Sequence, residues 1–184
     1  WKDENEALIH KGHPINWRFK IDNREDSFID GFNGHYKNPL HQWSGDFVIA
    51  QNSEKIAYQL AVVIDDARQK ITQVIRADDL LNSTLRQRAI YHALNYKSPQ
   101  YLHLPLVIGQ DGKRLAKRHG DFKISSLKKK GVNANRILGY LAYTCGWVDE
   151  TAEISLKELL KIYDLSKIPK NEIVLDSDLE KLLY

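Results

Sequence analysis

Two short apolar runs separated by an amphipathic stretch constrain the fold of this chain more than any other feature. The runs "ITQVIRA" at residues 71–77 and "LPLVIG" at 104–109 have the length and β-branched content of buried strands. Between them, "STLRQRAIYHAL" opens with a Ser-Thr cap and places five apolar residues on one helical face: Leu85, Ala89, Ile90, Ala93 and Leu94. A strand, a crossover helix and a second strand predict a parallel α/β sheet.

The residues before this unit predict two further strands and a helix. "NWRFKI" at 16–21 and "DFVIAQ" at 46–51 are rich in aromatic and β-branched residues, which favour strands. "IAYQLAVVIDDARQ" at 56–69 has its apolar residues at helical spacing. The segment between the two strands contains Gly31, Gly34, Pro39 and Gly45, so we expect an irregular connection there.

The residues after Gly120 change to a helical pattern, which we expect to start near Lys123. "NANRILGYLAYTCGW" places Ile137, Leu138, Leu141, Ala142 and Cys145 at helical spacing. "SLKELLKIY" repeats this pattern, and "LEKLLY" closes the chain. The only cysteine lies on the apolar face of its helix, so we expect it to be a core residue.

Composition bounds the class of protein. The chain of 184 residues is 42% hydrophobic, enough for a real core, and it has no apolar run that predicts a transmembrane helix. Its charged N-terminus does not resemble a signal peptide, and its single cysteine permits no internal disulfide, so we expect a reducing cytoplasm. The chain starts at Trp1 and contains no methionine, so we expect it to be part of a longer protein.

Positive charge is concentrated around the loop "GKRLAKRHGD" at residues 112–121. Residues 111–130 contain eight Lys or Arg and two Asp, whereas residues 149–184 contain five Lys and nine Asp or Glu. Such local charge is typical of a surface that faces phosphates. A solvated turn is the alternative for the loop, and a helix end stabilised by its dipole is the alternative for Lys128, Lys129 and Lys130.

The order of these motifs resembles a known enzyme family. "YQLAVVIDDARQKITQVIRADDLLNSTLRQRAIYHAL" followed by "YLHLPLVIGQDGKRLAKRHGD" is similar to the second half of the catalytic domain of glutamate-specific class I aminoacyl-tRNA synthetases. The resemblance implies an α/β fold in three parts. These are a connecting or insertion segment at 1–45, the second half of a Rossmann-type catalytic domain at 46–122, and an all-helical region at 123–184.

The same resemblance implies a site for ATP, used with Mg²⁺. "RLAKR" occupies the place of the family's KMSKS-type loop, with Lys117 at the second lysine and Ala116 in place of a serine. Fixed cations at that loop would stabilise the departing pyrophosphate, which makes Lys117 the catalytic candidate. Its neighbours Arg114 and Arg118 are further candidates for the phosphates. His103 and Leu104 are candidates for backbone contacts with the adenine.

Two residues match the family positions that hold the amino acid, Tyr58 and Arg76. Arg76 lies at the carboxyl end of a predicted parallel strand, where open α/β sheets bind ligands. Its guanidinium would fork onto a carboxylate and so select glutamate over neutral analogues. The alternative from the residues alone is an ion pair with Asp78 or Asp79. Ala77 stands where the family usually has a glycine.

A second signature of the family is not found in a suitable place. "HKGH" at residues 10–13 resembles the H-I-G-H motif, but no apolar strand precedes it and it lies too close to the basic loop. The first half of the nucleotide fold is therefore expected outside this chain, together with any zinc-binding cysteine cluster. For the same reason we expect residues 1–184 alone not to activate glutamate.

The ending "YDLSKIPKNEIVLDSDLEKLLY" resembles that of the glutamyl-queuosine tRNA(Asp) synthetases, since only 66 residues follow Arg118. That resemblance implies a cytoplasmic, monomeric ligase that activates L-glutamate with ATP and transfers it to the queuosine base of tRNA(Asp). Two alternatives stay open. One is part of a glutamyl-tRNA synthetase that charges tRNA(Glu), and the other is a non-catalytic, RNA-binding relic of a synthetase.

Overall fold

The computed structural model describes residues 16–21, 26–39, 44–51, 55–115 and 123–175. The chain divides between His103 and Leu104 into two compact units. The domain boundaries expected after residues 45 and 122 stay predictions. In the described ranges no helix is long and apolar enough to cross a membrane.

The first unit begins with antiparallel strands. β1 (Asn16–Phe19) pairs with β4 (Phe47–Gln51), which pairs in turn with β5 (Lys55–Ile56). The connection from β1 to β4 was expected to be irregular, and that expectation is wrong. It contains a regular hairpin of β2 (Asp26–Asp30) and β3 (Gly34–Asn38).

This hairpin has a physical reason in its sequence. Its inward positions alternate along β2, where Phe28 and Asp30 are buried and their neighbours are more exposed. Gly34 closes the turn at a φ of +79°, a left-handed conformation that glycine adopts without strain. The glycines that suggested an irregular connection therefore serve a tight turn, and a buried aspartate hides the apolar alternation that would have indicated a strand.

The predicted strand–helix–strand unit follows. After helix α1 (Tyr58–Arg68) come strand β6 (Gln73–Ala77), a 3₁₀ turn at Asp78–Leu80, helix α2 (Leu81–Ala93) and strand β7 (Gln100–Leu104). β6 and β7 are neighbours in one sheet. The backbone N–H of Gln100 donates to Thr72 O at 2.9 Å, which joins the starts of the two strands. The strands therefore run parallel, as predicted, although the second strand lies at Gln100–Leu104 and not at the predicted residues 104–109.

The start of α2 differs from the prediction. The helix begins at Leu81 and its N-cap residue, Leu80, makes no side-chain cap hydrogen bond. The expected Ser-Thr cap is therefore wrong, because the preceding 3₁₀ turn leads the backbone directly into the helix. Ser83 and Thr84 lie inside the helix, and both hydroxyls hydrogen-bond to other side chains instead.

Two apolar clusters hold this unit together. One contains Phe28, Leu85 and Tyr101, and joins the hairpin to α2 and β7. The other joins β4 to α1 and α2 through Phe47, Val63, Ile90 and Tyr91. Burying each such side chain stabilises the fold by about 1.5–3 kcal/mol, and the first cluster fixes the hairpin against α2 and β7.

The second unit starts with a broken strand. The run 104–109 was expected to be one strand, but β7 ends at Leu104 and β8 covers only Val107–Ile108. Pro105 lies between them and has no N–H to donate to a ladder. β8 pairs in parallel with β9 (Ile173–Val174), a two-residue strand in the region expected to be all-helical.

The helices of the second unit are α3 (Ile124–Lys129), α4 (Ala134–Thr144) and α5 (Leu156–Ile162). α5 begins with a capping box between Ser155 and Glu158, which satisfies backbone donors at its start. Leu141 was expected on the apolar face of α4 but is 45% exposed, so the helix buries a different side from the predicted one. Cys145 is half-buried at its end, not a fully buried core residue. The segment "LEKLLY" lies outside the described residues.

Candidate functional site

The candidate site lies at the carboxyl ends of β6 and β7, where Arg76 meets His103. Arg76 Nε donates to His103 Nε2 at 3.0 Å. Its Nη2 donates to Thr84 Oγ1 at 2.6 Å and to the Leu80 carbonyl at 3.3 Å. All these acceptors are uncharged, so the ion pair with Asp78 or Asp79 that the residues alone suggested is not the arrangement found.

These hydrogen bonds determine which nitrogen of the Arg76 guanidinium a ligand can contact. Within the described residues, protein acceptors engage Nε and Nη2, so Nη1 is the nitrogen that remains for a ligand carboxylate, in place of the two-nitrogen fork expected from the sequence. The guanidinium also lies over the ring of Tyr101, with its central carbon 5.1 Å from the ring centroid. Such a cation–π contact orients the plane of the guanidinium.

A buried carboxylate holds the other side of His103. His103 Nδ1 is 2.6 Å from Asp30 Oδ2, and both side chains are completely buried. The His103 backbone N–H also donates to Asp30, at 3.2 Å from each oxygen. Asp30 Oδ1 further accepts from Phe32 N at 3.0 Å and Asn33 N at 2.8 Å. Asp30 is therefore an acceptor for a full set of donors.

The turn of the β2–β3 hairpin is hydrogen-bonded to the backbone of strand β7. Asn33 Nδ2 donates to the His103 carbonyl at 2.7 Å, and Gly31 N donates to the Tyr101 carbonyl at 2.8 Å. A Cβ at Gly31 would lie only 2.8 Å from Leu102 Cγ, so glycine is required by close approach here. The hairpin therefore positions Asp30 beneath His103.

These contacts determine the protonation of His103. The carboxylate of Asp30 can only accept, so Nδ1 carries the hydrogen. Arg76 Nε can only donate, so Nε2 must present its lone pair. His103 is therefore neutral, with the Nδ1–H tautomer. The Thr84 hydroxyl, 2.9 Å from Nε2, completes the cluster.

The pKa values of the cluster agree with this assignment. Burial lowers the pKa of His103, the hydrogen bond to Asp30 opposes that effect, and the charge of Arg76 lowers the pKa further. Burial alone would raise the pKa of Asp30, but hydrogen bonds, first from the Asn33 backbone and then from the His103 side chain, bring it below its usual value. A neutral imidazole thus lies between an anion and a cation.

Tyr58 lies close enough to interact with Arg76. Burial lowers the pKa of Arg76, and the phenol groups of Tyr101 and Tyr58 oppose this effect, followed by the carboxylates of Asp66 and Asp79. Tyr58 begins α1 and is 57% exposed, with a side chain that a ligand can reach. The structure therefore brings together the two residues that the sequence analysis assigned to the amino acid.

The remaining predicted residues belong to the second unit or lie outside the described ranges. Leu104 is the half-buried last residue of β7. Arg114 is exposed and forms an antiparallel bridge with Ile108, at the start of the basic loop. A turn between them places Gly112 at a φ of +66°. Lys117 and Arg118 lie outside the described residues, as does the pair His10 and His13. Within the described residues no group of three potential metal ligands occurs.

Two members of the cluster, Asp30 and Thr84, were not predicted from the sequence. The role expected of His103, a backbone contact with adenine, stays a prediction. Both backbone groups of His103 have protein partners, and its side chain contacts Arg76. The Asp-Gly pair at Asp30 and Gly31 is a turn signal in the sequence. His103 lies 73 positions from Asp30, however, and only folding brings the two side chains together.

Comparison with known proteins gives a family match along nearly the whole chain. Residues 1–180 match the family described as tRNA synthetases class I (E and Q), catalytic domain. A glutamyl-Q tRNA(Asp) synthetase of Symbiobacterium thermophilum is 39% identical over 93% of this chain and 53% of its own length. A glutamate–tRNA ligase of Prochlorococcus marinus is 35% identical over 92% of this chain and 37% of its own length.

The fold comparison agrees with the sequence comparison. A crystal structure of a glutamate tRNA ligase from Elizabethkingia meningosepticum, in complex with its amino acid, superposes with a TM-score of 0.78. It is 25% identical in sequence, and the match covers 99% of this chain and 40% of that chain. The chain spans about half the length of the glutamyl-Q tRNA(Asp) synthetases it matches, which are covered to 53%, 51% and 47%.

Proposed function

Because this chain belongs to the class I tRNA synthetases for E and Q, we propose that the whole protein activates glutamate with ATP and transfers it to the queuosine base of tRNA(Asp). The chain supplies the half of the catalytic domain that contains β6, α2 and β7. The amino acid is held at the ends of these strands.

The Arg76 cluster is the observation that carries the proposal for glutamate. A guanidinium held on two of its nitrogens by His103 and Thr84 presents Nη1 in a fixed direction. A carboxylate placed there gains a charge-assisted hydrogen bond, whereas the neutral amide of glutamine gains less. The exposed Tyr58 hydroxyl offers a second contact to the same amino acid.

The basic loop supplies the proposed ATP contacts. Lys117 is the proposed partner of the departing pyrophosphate, with Arg114 and Arg118 beside it in sequence. Fixed cations lower the barrier by stabilising negative charge that develops in the transition state. Mg²⁺ would accompany ATP as part of the substrate.

The proposed acceptor rests on the relatives. Three glutamyl-Q tRNA(Asp) synthetases are 37–39% identical to this chain. The local positive charge between residues 111 and 130 suits contact with an RNA backbone. Glutamate–tRNA ligases at 34–35% identity favour a second candidate, the charging of tRNA(Glu).

Transfer of radiolabelled glutamate by the full-length protein separates these candidates. The acceptors are tRNA(Asp) with queuosine, tRNA(Asp) with guanosine at the same position, and tRNA(Glu). We expect label only on the queuosine-containing tRNA. Label on the 3′ end of tRNA(Glu) would favour the second candidate, and absence of label from every acceptor, with ATP and Mg²⁺ present, would contradict both.

A further inference from the structure

We propose that Asp30, through His103, is a positioning residue that fixes the direction of the Arg76 guanidinium and thereby sets the affinity of the site for the carboxylate of its amino acid. This inference rests on the proposed function, since it concerns the same site. It assigns roles to Asp30, His103 and Thr84, which do not need to touch the substrate.

A continuous row of hydrogen bonds connects Asp30 to Arg76 through His103. Asp30 Oδ2 is 2.6 Å from His103 Nδ1, and His103 Nε2 is 3.0 Å from Arg76 Nε. The imidazole therefore transmits the position of a buried carboxylate to the guanidinium on the neighbouring strand. Asp30 and His103 are completely buried, so water does not compete for these bonds.

This row of hydrogen bonds depends on one tautomer of His103. Nε2 accepts from Arg76 only while Nδ1 carries the imidazole hydrogen. If the hydrogen moved to Nε2, two N–H groups would face each other at 3.0 Å, and the Arg76 side chain would have to turn away. The charge of Asp30 favours the productive tautomer, because its carboxylate can only accept a hydrogen bond.

An isosteric change at Asp30 reverses the tautomer. In Asp30→Asn, the amide oxygen stays where Oδ1 accepts from Phe32 N and Asn33 N. The amide NH₂ then occupies the Oδ2 position, 2.6 Å from His103 Nδ1. A donor at this position requires an unprotonated Nδ1, so the imidazole hydrogen moves to Nε2 and points at Arg76.

The test compares Asp30→Asn with Asp26→Asn in the full-length protein. Asp26 is at the other end of β2 and pairs with Arg88 at 3.1 Å, so it is a matched carboxylate outside the cluster. The assay is glutamate-dependent ATP–pyrophosphate exchange, with and without tRNA. We expect Asp30→Asn to raise the glutamate KM by about tenfold or more, with a smaller change in kcat and in the ATP KM. Asp26→Asn should leave all three close to wild type.

A spectroscopic measurement reads the tautomer directly. Long-range ¹H–¹⁵N correlation of the His103 ring distinguishes Nδ1–H from Nε2–H. We expect Nδ1–H in the wild type and in Asp26→Asn, and Nε2–H in Asp30→Asn. This readout would not change if Asp30 only stabilised the hairpin.

A second pair of variants replaces the first if Asp30→Asn does not fold. Thr84→Val removes the hydroxyl that accepts from Arg76 Nη2 and keeps the shape, whereas Thr84→Ser keeps the hydroxyl. We expect a raised glutamate KM in the valine variant and recovery in the serine variant.

The outcomes separate this inference from the proposed function. Asp30→Asn with a wild-type glutamate KM, or with Nδ1–H retained, would overturn the inference, as would equal KM values for the Val and Ser variants. Exchange that does not depend on glutamate in the wild type would instead refute the proposed function. In that case the tautomers of Asp30→Asn and wild type still decide whether Asp30 controls His103.

Discussion

Replacing Arg76 is the perturbation that bears most directly on substrate recognition. Arg76→Ala removes Nη1, the nitrogen left for the ligand, and also removes the hydrogen bonds that Arg76 donates to His103 Nε2 and Thr84 Oγ1. A hydrogen bond to a charged group contributes about 1.5–3 kcal/mol, and losing it from a half-buried site corresponds to about a 10- to 150-fold weaker interaction.

The assay is the dependence of ATP–pyrophosphate exchange on glutamate concentration. We expect the glutamate KM of Arg76→Ala to rise by about 10- to 150-fold, while the ATP KM stays near wild type. Arg76→Lys should recover only part of the loss, because an ammonium cannot donate to His103, Thr84 and a ligand in the geometry of a guanidinium.

Arg88→Ala is the control for general damage to the fold. Arg88 lies on helix α2, pairs with Asp26 and lies over the ring of Phe28, and none of its contacts is with Arg76. Its loss should lower stability and leave the glutamate KM unchanged. An unchanged KM in Arg76→Ala, or an equal rise in Arg88→Ala, would refute the assignment of Arg76 to the carboxylate.

Three further predictions concern the loop, the hairpin and the pH dependence. Lys117→Ala in the full-length protein should slow adenylate formation about a hundredfold, equivalent to ~3 kcal/mol, with little change in glutamate binding. Adenylate formation at the wild-type rate in pre-steady-state kinetics would remove Lys117 from the mechanism. Gly31→Ala should destabilise the fold by about 1–3 kcal/mol in urea titration, because its Cβ would lie 2.8 Å from Leu102 Cγ. In a Leu102→Ala background the same substitution should cost less. If the effects of the two substitutions on the free energy of unfolding simply add, the clash is contradicted. The pKa of His103 is lowered in the fold, so the unfolded chain binds a proton first as the pH falls. The free energy of unfolding should therefore fall by up to about 1.4 kcal/mol per pH unit below about pH 6.5. His103→Gln should remove that slope, and the same pH profile in this variant and in the wild type would argue against a neutral, buried His103.

The sequence predicted the elements whose periodicity is undisturbed. The helix at Tyr58–Arg68 and the strand at Gln73–Ala77 follow from apolar spacing, whereas the parallel neighbour was predicted at residues 104–109 and lies at Gln100–Leu104. The prediction of a class I synthetase fold is confirmed by the family match and by the superposed structure. Local rules suffice where a single buried face decides the conformation.

The hairpin and the buried cluster escaped prediction for a common reason. Asp30 is a charged residue at a buried strand position, and it is stable there only because donors from Phe32, Asn33 and His103 surround it. His103 lies 73 positions from Asp30 in the sequence, so no local window contains the signal. Thr84 likewise resembles a cap residue in sequence, whereas the fold uses its hydroxyl to hold Arg76.

A crystal structure of the full-length protein with bound glutamate would show whether Arg76 binds the side-chain carboxylate of the substrate. We predict that the side-chain carboxylate lies within hydrogen-bond distance of Arg76 Nη1, about 2.7–2.9 Å, with the Tyr58 hydroxyl beside the amino acid and with the bonds from Arg76 to His103 and Thr84 retained. Glutamate bound elsewhere, or bound with Arg76 turned away from its side-chain carboxylate, would contradict the assignment of Arg76.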